Sequence, residues 1–203
     1  MKSHNDFIVH IPQKHNDRFT TESGTKIFLD SRFSEKTTAN NVFEVVETPV
    51  TYNGPIKPGC VLLVDPVVVH SQDYNKWGEE QNQFLVDADK NLYKVNSSLI
   101  ICYSFGWGME FKGFEDNLIC QKHKQEKENQ EKIGSIYIPD SAKEKTKDSP
   151  VLKVIIDNDE LNSESVYKED LIYYRPFGAV PINLRGNELI WLRNRYVLGK
   201  KIA

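Results

Sequence analysis

The sequence predicts an all-β protein made of two tandem copies of one domain, and three observations carry that prediction. Short apolar runs rich in β-branched and aromatic residues recur along the 203 residues, bounded by Gly, Pro, Asn or Asp. No stretch carries the apolar stripe of an amphipathic helix; Lys122 to Lys132 is polar on every face and reads as a solvated loop. The third observation is an internal repeat.

The runs are Phe7 to Ile11, Val42 to Val46, Val61 to Val69, Phe84 to Val86, Leu99 to Cys102, Val151 to Ile156, Leu171 to Tyr174 and Leu189 to Leu192. At an offset of 109 residues, Glu35-Lys36-Thr37 matches Glu144-Lys145-Thr146, and Ile27-Phe28-Leu29 aligns with Ile136-Tyr137-Ile138. The same offset places Val42-Phe43-Glu44-Val45 on Val151-Leu152-Lys153-Val154. Beyond these, Ile56 to Val64 corresponds to Val166 to Tyr174, and Asn91 to Ile101 to Glu188 to Leu198. Preserved order makes duplication the better account than chance. The expected division is a first domain over 1–103, an aromatic and glycine linker over 104–113, and a second domain over 114–203. In the linker, glycines permit tight bends and the rings are expected to fill the seam between domains. His70 to Gln83 reads as a surface excursion peculiar to the first copy.

Composition excludes several classes. A net charge of −3 and a pI near 6.0 give no footprint for nucleic acid. Cys60, Cys102 and Cys120 are odd in number and form no CxxC pair, which argues against a disulfide framework or structural zinc and fits a reducing cytoplasm. No stretch approaches the about 18 apolar residues of a membrane span. Nucleotide-binding glycine motifs and the G-x-S-x-G elbow are absent. His4, His10 and His15 with Asp6 and Asp17 lack a recognised ligand spacing; Cys120 and His123 form half a motif. Asp157, Asp159, Glu160 and Glu164 read as a solvated turn, and Arg175, Arg185, Arg193 and Arg195 as scattered surface charge. These patterns call for no catalytic residues, no cofactor and no metal.

The repeated parts resemble the chaperonin-10 family, the GroES-type co-chaperonins, in a tandem form similar to the double-domain co-chaperonins of plastids. The carrying features are two polar loops, His15 to Thr38 and Gln125 to Lys147, each with a glycine, Gly24 or Gly134, followed by an apolar tripeptide. Turns at Lys57-Pro58-Gly59-Cys60-Val61 and Lys168-Glu169-Asp170-Leu171 follow. The second copy is the closer match: the first inserts Thr25 and Lys26 after Gly24 and has Cys60 where an acidic residue is common. Neither Thr48 to Pro55 nor Asp157 to Ser165 is a clear glycine-rich roof hairpin. The resemblance implies two tandem GroES-like partly open β-barrels. It also implies a co-chaperonin that caps an ATP-hydrolysing GroEL-type chaperonin ring through Ile27, Phe28, Leu29, Ile136, Tyr137 and Ile138, without catalysis of its own. A homo-oligomeric ring is expected, either of seven chains with one copy above or below it, which the divergence of the copies favours, or with an even number of barrels. The alternative is a structural or viral assembly protein that keeps the barrel without binding a chaperonin.

Overall fold

The computed structural model describes residues 3–15, 18–20, 23–28, 40–71, 73–74, 80–123, 132–133, 136–137, 151–184 and 187–201. The first copy supplies β1 (Phe7–His10), β4 (Val42–Glu47), β5 (Val61–Val64), β8 (Leu85–Asp87), β9 (Leu92–Val95), β10 (Ile100–Ser104) and β11 (Lys112–Gly113). They form one antiparallel sheet in the order β11-β10-β5-β4-β1-β9-β8, and β6 (Asp73–Tyr74) with β7 (Glu80–Gln81) is a separate two-stranded ladder. The second supplies β12 (Asn117–Lys122), β15 (Val151–Ile156), β16 (Leu171–Tyr174), β17 (Val180–Leu184), β18 (Asn187–Arg193) and β19 (Val197–Lys200), ordered β17-β18-β12-β15-β16-β19. Each sheet encloses its own core, one around Phe7, Phe43, Leu62 and Ile100, the other around Leu118, Leu152, Ile172 and Leu192.

The repeat extends to hydrogen-bond register. Val42, Phe43 and Glu44 face Leu63, Leu62 and Val61; Val151, Leu152 and Lys153 face Tyr173, Ile172 and Leu171. A register shift falls between Ile8 and Val9 in one copy and between Ile119 and Cys120 in the other. A one-residue slip would turn every core side chain outward, so a shared register is a strong constraint on both copies.

Two sequence expectations need correction. The run Val61 to Val69 is not one strand: it ends at Val64, and Val67–His70 is a short helix. Pro66 cannot donate to a ladder, and the Asp65 carboxylate accepts from the Val67 N–H at 2.9 Å to start the turn. The acidic segment after β15 is not a solvated turn either. Asn158 caps a helix at Asp159–Ser163 through the Leu161 N–H at 2.9 Å, and Leu161 is buried in the second core.

The matched turns show how one geometry is held by different chemistry. Gly59 N–H donates to the Val45 carbonyl, as Glu169 N–H does to that of Val154, each at 2.8 Å. Both residues have positive φ, 87° for Gly59 and 77° for Glu169. In the second copy the Asp170 carboxylate accepts from the Tyr167 N–H at 2.8 Å and pairs with Lys200 at 2.7 Å. In the first, the Cys60 sulfur accepts from the Lys57 N–H at 3.3 Å, and Tyr103 stands at the position matching Lys200. Cys60 and Tyr103 both lie in the first core, so an apolar pair replaces the ion pair.

A third apolar cluster joins the barrels. Along β5, Leu62 and Val64 face their own core while Val61 and Leu63 face outward. With Ile101 and Cys102 they pack against Ile119, Ile156, Ile182 and Leu189 of the second copy. Buried Asn117 fixes the crossing point: its amide donates to the carbonyls of Phe114 (2.7 Å) and Ile100 (3.2 Å), and its oxygen accepts from the Trp191 indole at 2.8 Å. Gly113 is required there, because a Cβ would stand 2.2 Å from the Asn117 carbonyl oxygen. The rings of the connecting segment do not fill this seam as expected. Phe105, Trp107 and Met109 are exposed, and Phe111 is the one that packs against the shared cluster. The seam is closed by strand residues already facing each other, which leaves the connection little to fill.

Three outcomes are expected. Gly59→Ala adds a methyl that meets nothing within 4 Å, so its cost is the left-handed backbone alone, about 1–2 kcal/mol. Glu169→Gly should instead raise the melting temperature, by a smaller margin because it also removes an exposed pair with Lys153 that is worth at most about 1 kcal/mol; thermal denaturation checks both. Asn117→Ala takes the amide from the Ile100 carbonyl and the acceptor from the Trp191 indole N–H, while the Phe114 carbonyl keeps the Asn117 backbone N–H, and should cost about 3 kcal/mol by urea denaturation.

The Lys200 ammonium and the Tyr167 N–H hold the Asp170 carboxyl below its ordinary range. A depressed carboxyl stabilises fully above its unfolded pKa and loses that contribution as pH falls through the folded one. The destabilisation caused by Asp170→Asn at neutral pH should therefore shrink once pH drops below about 4, as pH-dependent melting would show.

Candidate functional site

Two hairpins leave the barrels at matching places. In the first, β2 (Arg18–Thr20) pairs with β3 (Lys26–Phe28), setting Phe19 opposite Ile27 and Arg18 opposite Phe28. In the second, β13 (Lys132–Ile133) pairs with β14 (Ile136–Tyr137), setting Ile133 opposite Ile136. Among the described residues neither hairpin is hydrogen-bonded into a barrel sheet. Each precedes the strand that follows it into the barrel, β4 or β15, so the duplication covers the excursion as well as the core.

Of the residues singled out by sequence, Gly24 lies in the first hairpin connection with φ of 81°, a left-handed position suited to glycine. Ile27 follows in β3 with 45% of its surface exposed. Phe28 ends the same strand, and Ile136 and Tyr137 form β14. Leu29, Gly134 and Ile138 lie outside the described residues. The arrangement thus groups Gly24, Ile27 and Phe28 in one hairpin and Ile136 and Tyr137 in the other. Sequence reasoning passed over Phe19 and Ile133, which pair across the hairpins with Ile27 and Ile136. Their signal was an apolar residue isolated in a polar loop, the same signal that marked the tripeptides.

The other constellations stay apart from any site. Among the described residues no group of three or more His, Cys, Asp or Glu side chains could hold a metal ion. Cys120 is buried in β12, where loss of solvent pushes its thiol up to about 12, far from a reactive thiolate. The Asp157 carboxylate accepts from the Lys168 N–H at 3.0 Å, and Glu160 accepts from the Asn194 amide at 2.8 Å, so both serve local structure. Arg193 and Arg195 lie over the rings of Trp191 and Tyr196, 6.0 and 5.2 Å from their centroids. Arg185 and Asp17 are outside the described residues. An open recess of about 480 Å³, lined by Tyr103, Phe114, Glu115, Asp116, Asp159 and Glu160 among others, lies beside the seam. No helix among the described residues is long and apolar enough to cross a membrane.

Comparison with known proteins bears on the barrels directly. The family described as Chaperonin 10 Kd subunit matches residues 110–201, which hold all six strands of the second sheet. The co-chaperonin GroES of Desulfotalea psychrophila is 30% identical over 95 residues, covering 45% of this chain and 97% of that relative. The co-chaperonin GroES of Deinococcus radiodurans is 31% identical over 77 residues, covering 36% of this chain and 81% of that relative. No solved structure matches the chain. Since a relative is matched over nearly its whole length, and the first sheet repeats the strand register of the second, the chain belongs to the chaperonin 10 family, as two tandem GroES-like β-barrels.

Proposed function

We propose that the protein is a co-chaperonin that caps an ATP-hydrolysing GroEL-type chaperonin ring. The anchors are the tripeptides Ile27-Phe28-Leu29 and Ile136-Tyr137-Ile138, each with a glycine, Gly24 or Gly134, shortly before it in the sequence. The observation that carries this reading is a pair of hairpins that belong to neither barrel sheet yet bear large apolar residues, with Ile27 45% exposed. Such residues gain their full burial only against a second surface.

The energetics suit a reversible cap. Each large apolar side chain buried in a partner groove contributes about 1.5–3 kcal/mol, against roughly 2–5 kcal/mol to order the segment that presents it. One hairpin binds weakly on those terms. Several hairpins on a closed ring of chains act through effective concentration, so weak contacts sum to firm but releasable attachment. No bond is made or broken by this chain, and the nucleotide chemistry belongs to the partner.

Capture by a GroEL-type ring in the presence of ADP tests the reading. The unmodified protein should be retained. Ile136→Ser with Ile138→Ser should lower retention by at least tenfold while the melting temperature stays within a few degrees, because residues that anchor to a partner and do not pack in a barrel core add little to stability. Ile27→Ser with Leu29→Ser should have a smaller effect, since the first copy departs further from the family pattern. Equal retention of the Ile136/Ile138 variant would overturn the proposal.

A further inference from the structure

The recess beside the seam is built by both halves of the chain. Tyr103 comes from β10 of the first barrel and Pro55 from the segment before β5; Phe114, Glu115 and Asp116 belong to the junction, and Asp159 and Glu160 to the helix after β15. Pro55 and Tyr103 lie outside residues 110–201, the stretch that matches the Chaperonin 10 Kd subunit family. The recess is therefore a product of the tandem arrangement, and neither copy holds it alone. Its junction wall is fixed by backbone hydrogen bonds: Asn117 N–H donates to the Phe114 carbonyl at 3.1 Å, closing the turn that carries Glu115 and Asp116, and Asn194 N–H donates to the Asp116 carbonyl at 2.8 Å. Asn158, capping the helix, fixes where Asp159 and Glu160 begin it. A volume of about 480 Å³ lies within the span of small-ligand sites.

The chemistry of the recess is one-sided. Four of its eight lining residues are carboxylates and none is basic. Glu160 accepts from the Asn194 amide at 2.8 Å, whereas the carboxylates of Glu115, Asp116 and Asp159 have no ion-pair or hydrogen-bond partner among the described residues. Tyr103 points to a ligand independently of them. It is only 8% exposed, its ring is held edge-on by Phe105 and Phe114, and its hydroxyl has no hydrogen-bond partner among the described residues. A phenol this buried ordinarily has one; this one lines the recess instead. Burial, and after it the Asp159 carboxylate, push the phenol above its ordinary value, so it stays a neutral hydroxyl at neutral pH. Glu115 has a φ of 53°, in the left-handed region that favours glycine. The backbone preference is thus overridden at the residue that sets a carboxylate at the recess.

A single metal ion does not fit this charge, because among the described residues no three His, Cys, Asp or Glu side chains stand close enough to share one. Carboxylates spread over an open recess suit a longer cation, whose charges are separated by an apolar chain that lies against Pro55, Tyr103 and Phe114. We propose that the recess binds an organic polycation, two or more ammonium or guanidinium groups on a flexible apolar chain, with Glu115, Asp116 and Asp159 pairing the charges and the Tyr103 hydroxyl accepting a hydrogen bond from one of them. A free polyamine and neighbouring Lys or Arg side chains of a peptide share this chemistry. Glu115 and Asp159 are exposed, so their pairs form in high dielectric and added salt weakens them. Because both halves of the chain line the recess, the bound cation bridges them and opposes their separation. The inference is independent of the capping proposal, and its readout is heat of binding without any chaperonin.

Isothermal titration calorimetry on the full-length protein at low salt tests it, with spermidine and a capped Lys-Gly-Lys peptide as probes and magnesium chloride at matched ionic strength as control. At least one probe should bind saturably at one per chain, and magnesium should give no saturable heat. The tighter probe names the source, spermidine for a free polyamine and the peptide for a basic segment of a partner. Glu115→Gln with Asp159→Asn, both at exposed positions, should weaken that binding about fivefold or more. Tyr103→Phe, which keeps the ring and removes the hydroxyl, should weaken it about threefold. Glu115→Gly should weaken binding yet raise the melting temperature, because glycine accepts the left-handed backbone; a residue of purely structural value would not move the two in opposite senses. Should Tyr103→Phe disturb the first core, seen by circular dichroism, the two exposed substitutions still decide. No saturable binding of either probe, unchanged binding by the Glu115/Asp159 variant, or magnesium binding as tightly as both probes would each overturn the proposal.

Discussion

Val61 and Leu63 point away from the core of their own barrel, yet neither exposes any surface. A strand buried on both faces needs cover that its own sheet cannot give, and here the cover is the flank of the second copy. The placement of the rest follows. Asn117 sits where β12 enters the seam and satisfies carbonyls of the first barrel, and Gly113 lets the chain pass within contact of the Asn117 backbone. Asn158, which starts the helix after β15, donates to the Asn117 carbonyl at 2.9 Å and to the Asn194 amide oxygen at 2.8 Å. One buried polar network therefore ties the crossing strand, the helix cap and the turn before β19 to the same point. Such networks specify geometry because leaving any member unpaired is costly.

Duplication supplied two equal barrels, and the seam made them unequal. The first must be apolar on an outer face that the second leaves open to solvent, so selection on the two sequences differs at matching positions. Cys60 and Tyr103 replace Asp170 and Lys200 within the same turn and strand geometry. The turn needs an acceptor for one backbone N–H, and either a carboxylate or a sulfur serves. The choice between them follows the surroundings: the thiol and ring suit the first core, whereas the ion pair stands at a surface where water solvates its remaining valences.

Much of this was legible in the sequence, because strand registers repeat as offsets. Val42 to Val45 against Val151 to Val154, and Ile56 to Val64 against Val166 to Tyr174, align in structure as they do in sequence. The apolar tripeptides were visible as misplaced residues in polar loops, although pairing partners such as Phe19 and Ile133 passed unnoticed. What sequence could not show was either too short to leave a period or governed by contacts between distant residues. The helices at Val67–His70 and Asp159–Ser163, of four and five residues, are too short for periodicity to reveal. The aromatic junction misled for a related reason. Ring content signals burial only if a space exists to fill, and Ile101, Ile119 and Leu189 had already filled it.

The three cysteines are distributed in a way that gives the molecule a set of internal gauges. Cys60 belongs to the first core, Cys102 to the seam and Cys120 to the second core, and all three are free and buried. A thiol reagent can reach each of them only when its own cluster opens, and burial keeps Cys102 and Cys120 protonated until then. The order in which the three are alkylated under native conditions would report whether the barrels part before either one loosens. The fold thus carries one chemical clock for each of its hydrophobic clusters, without any residue being changed to install it.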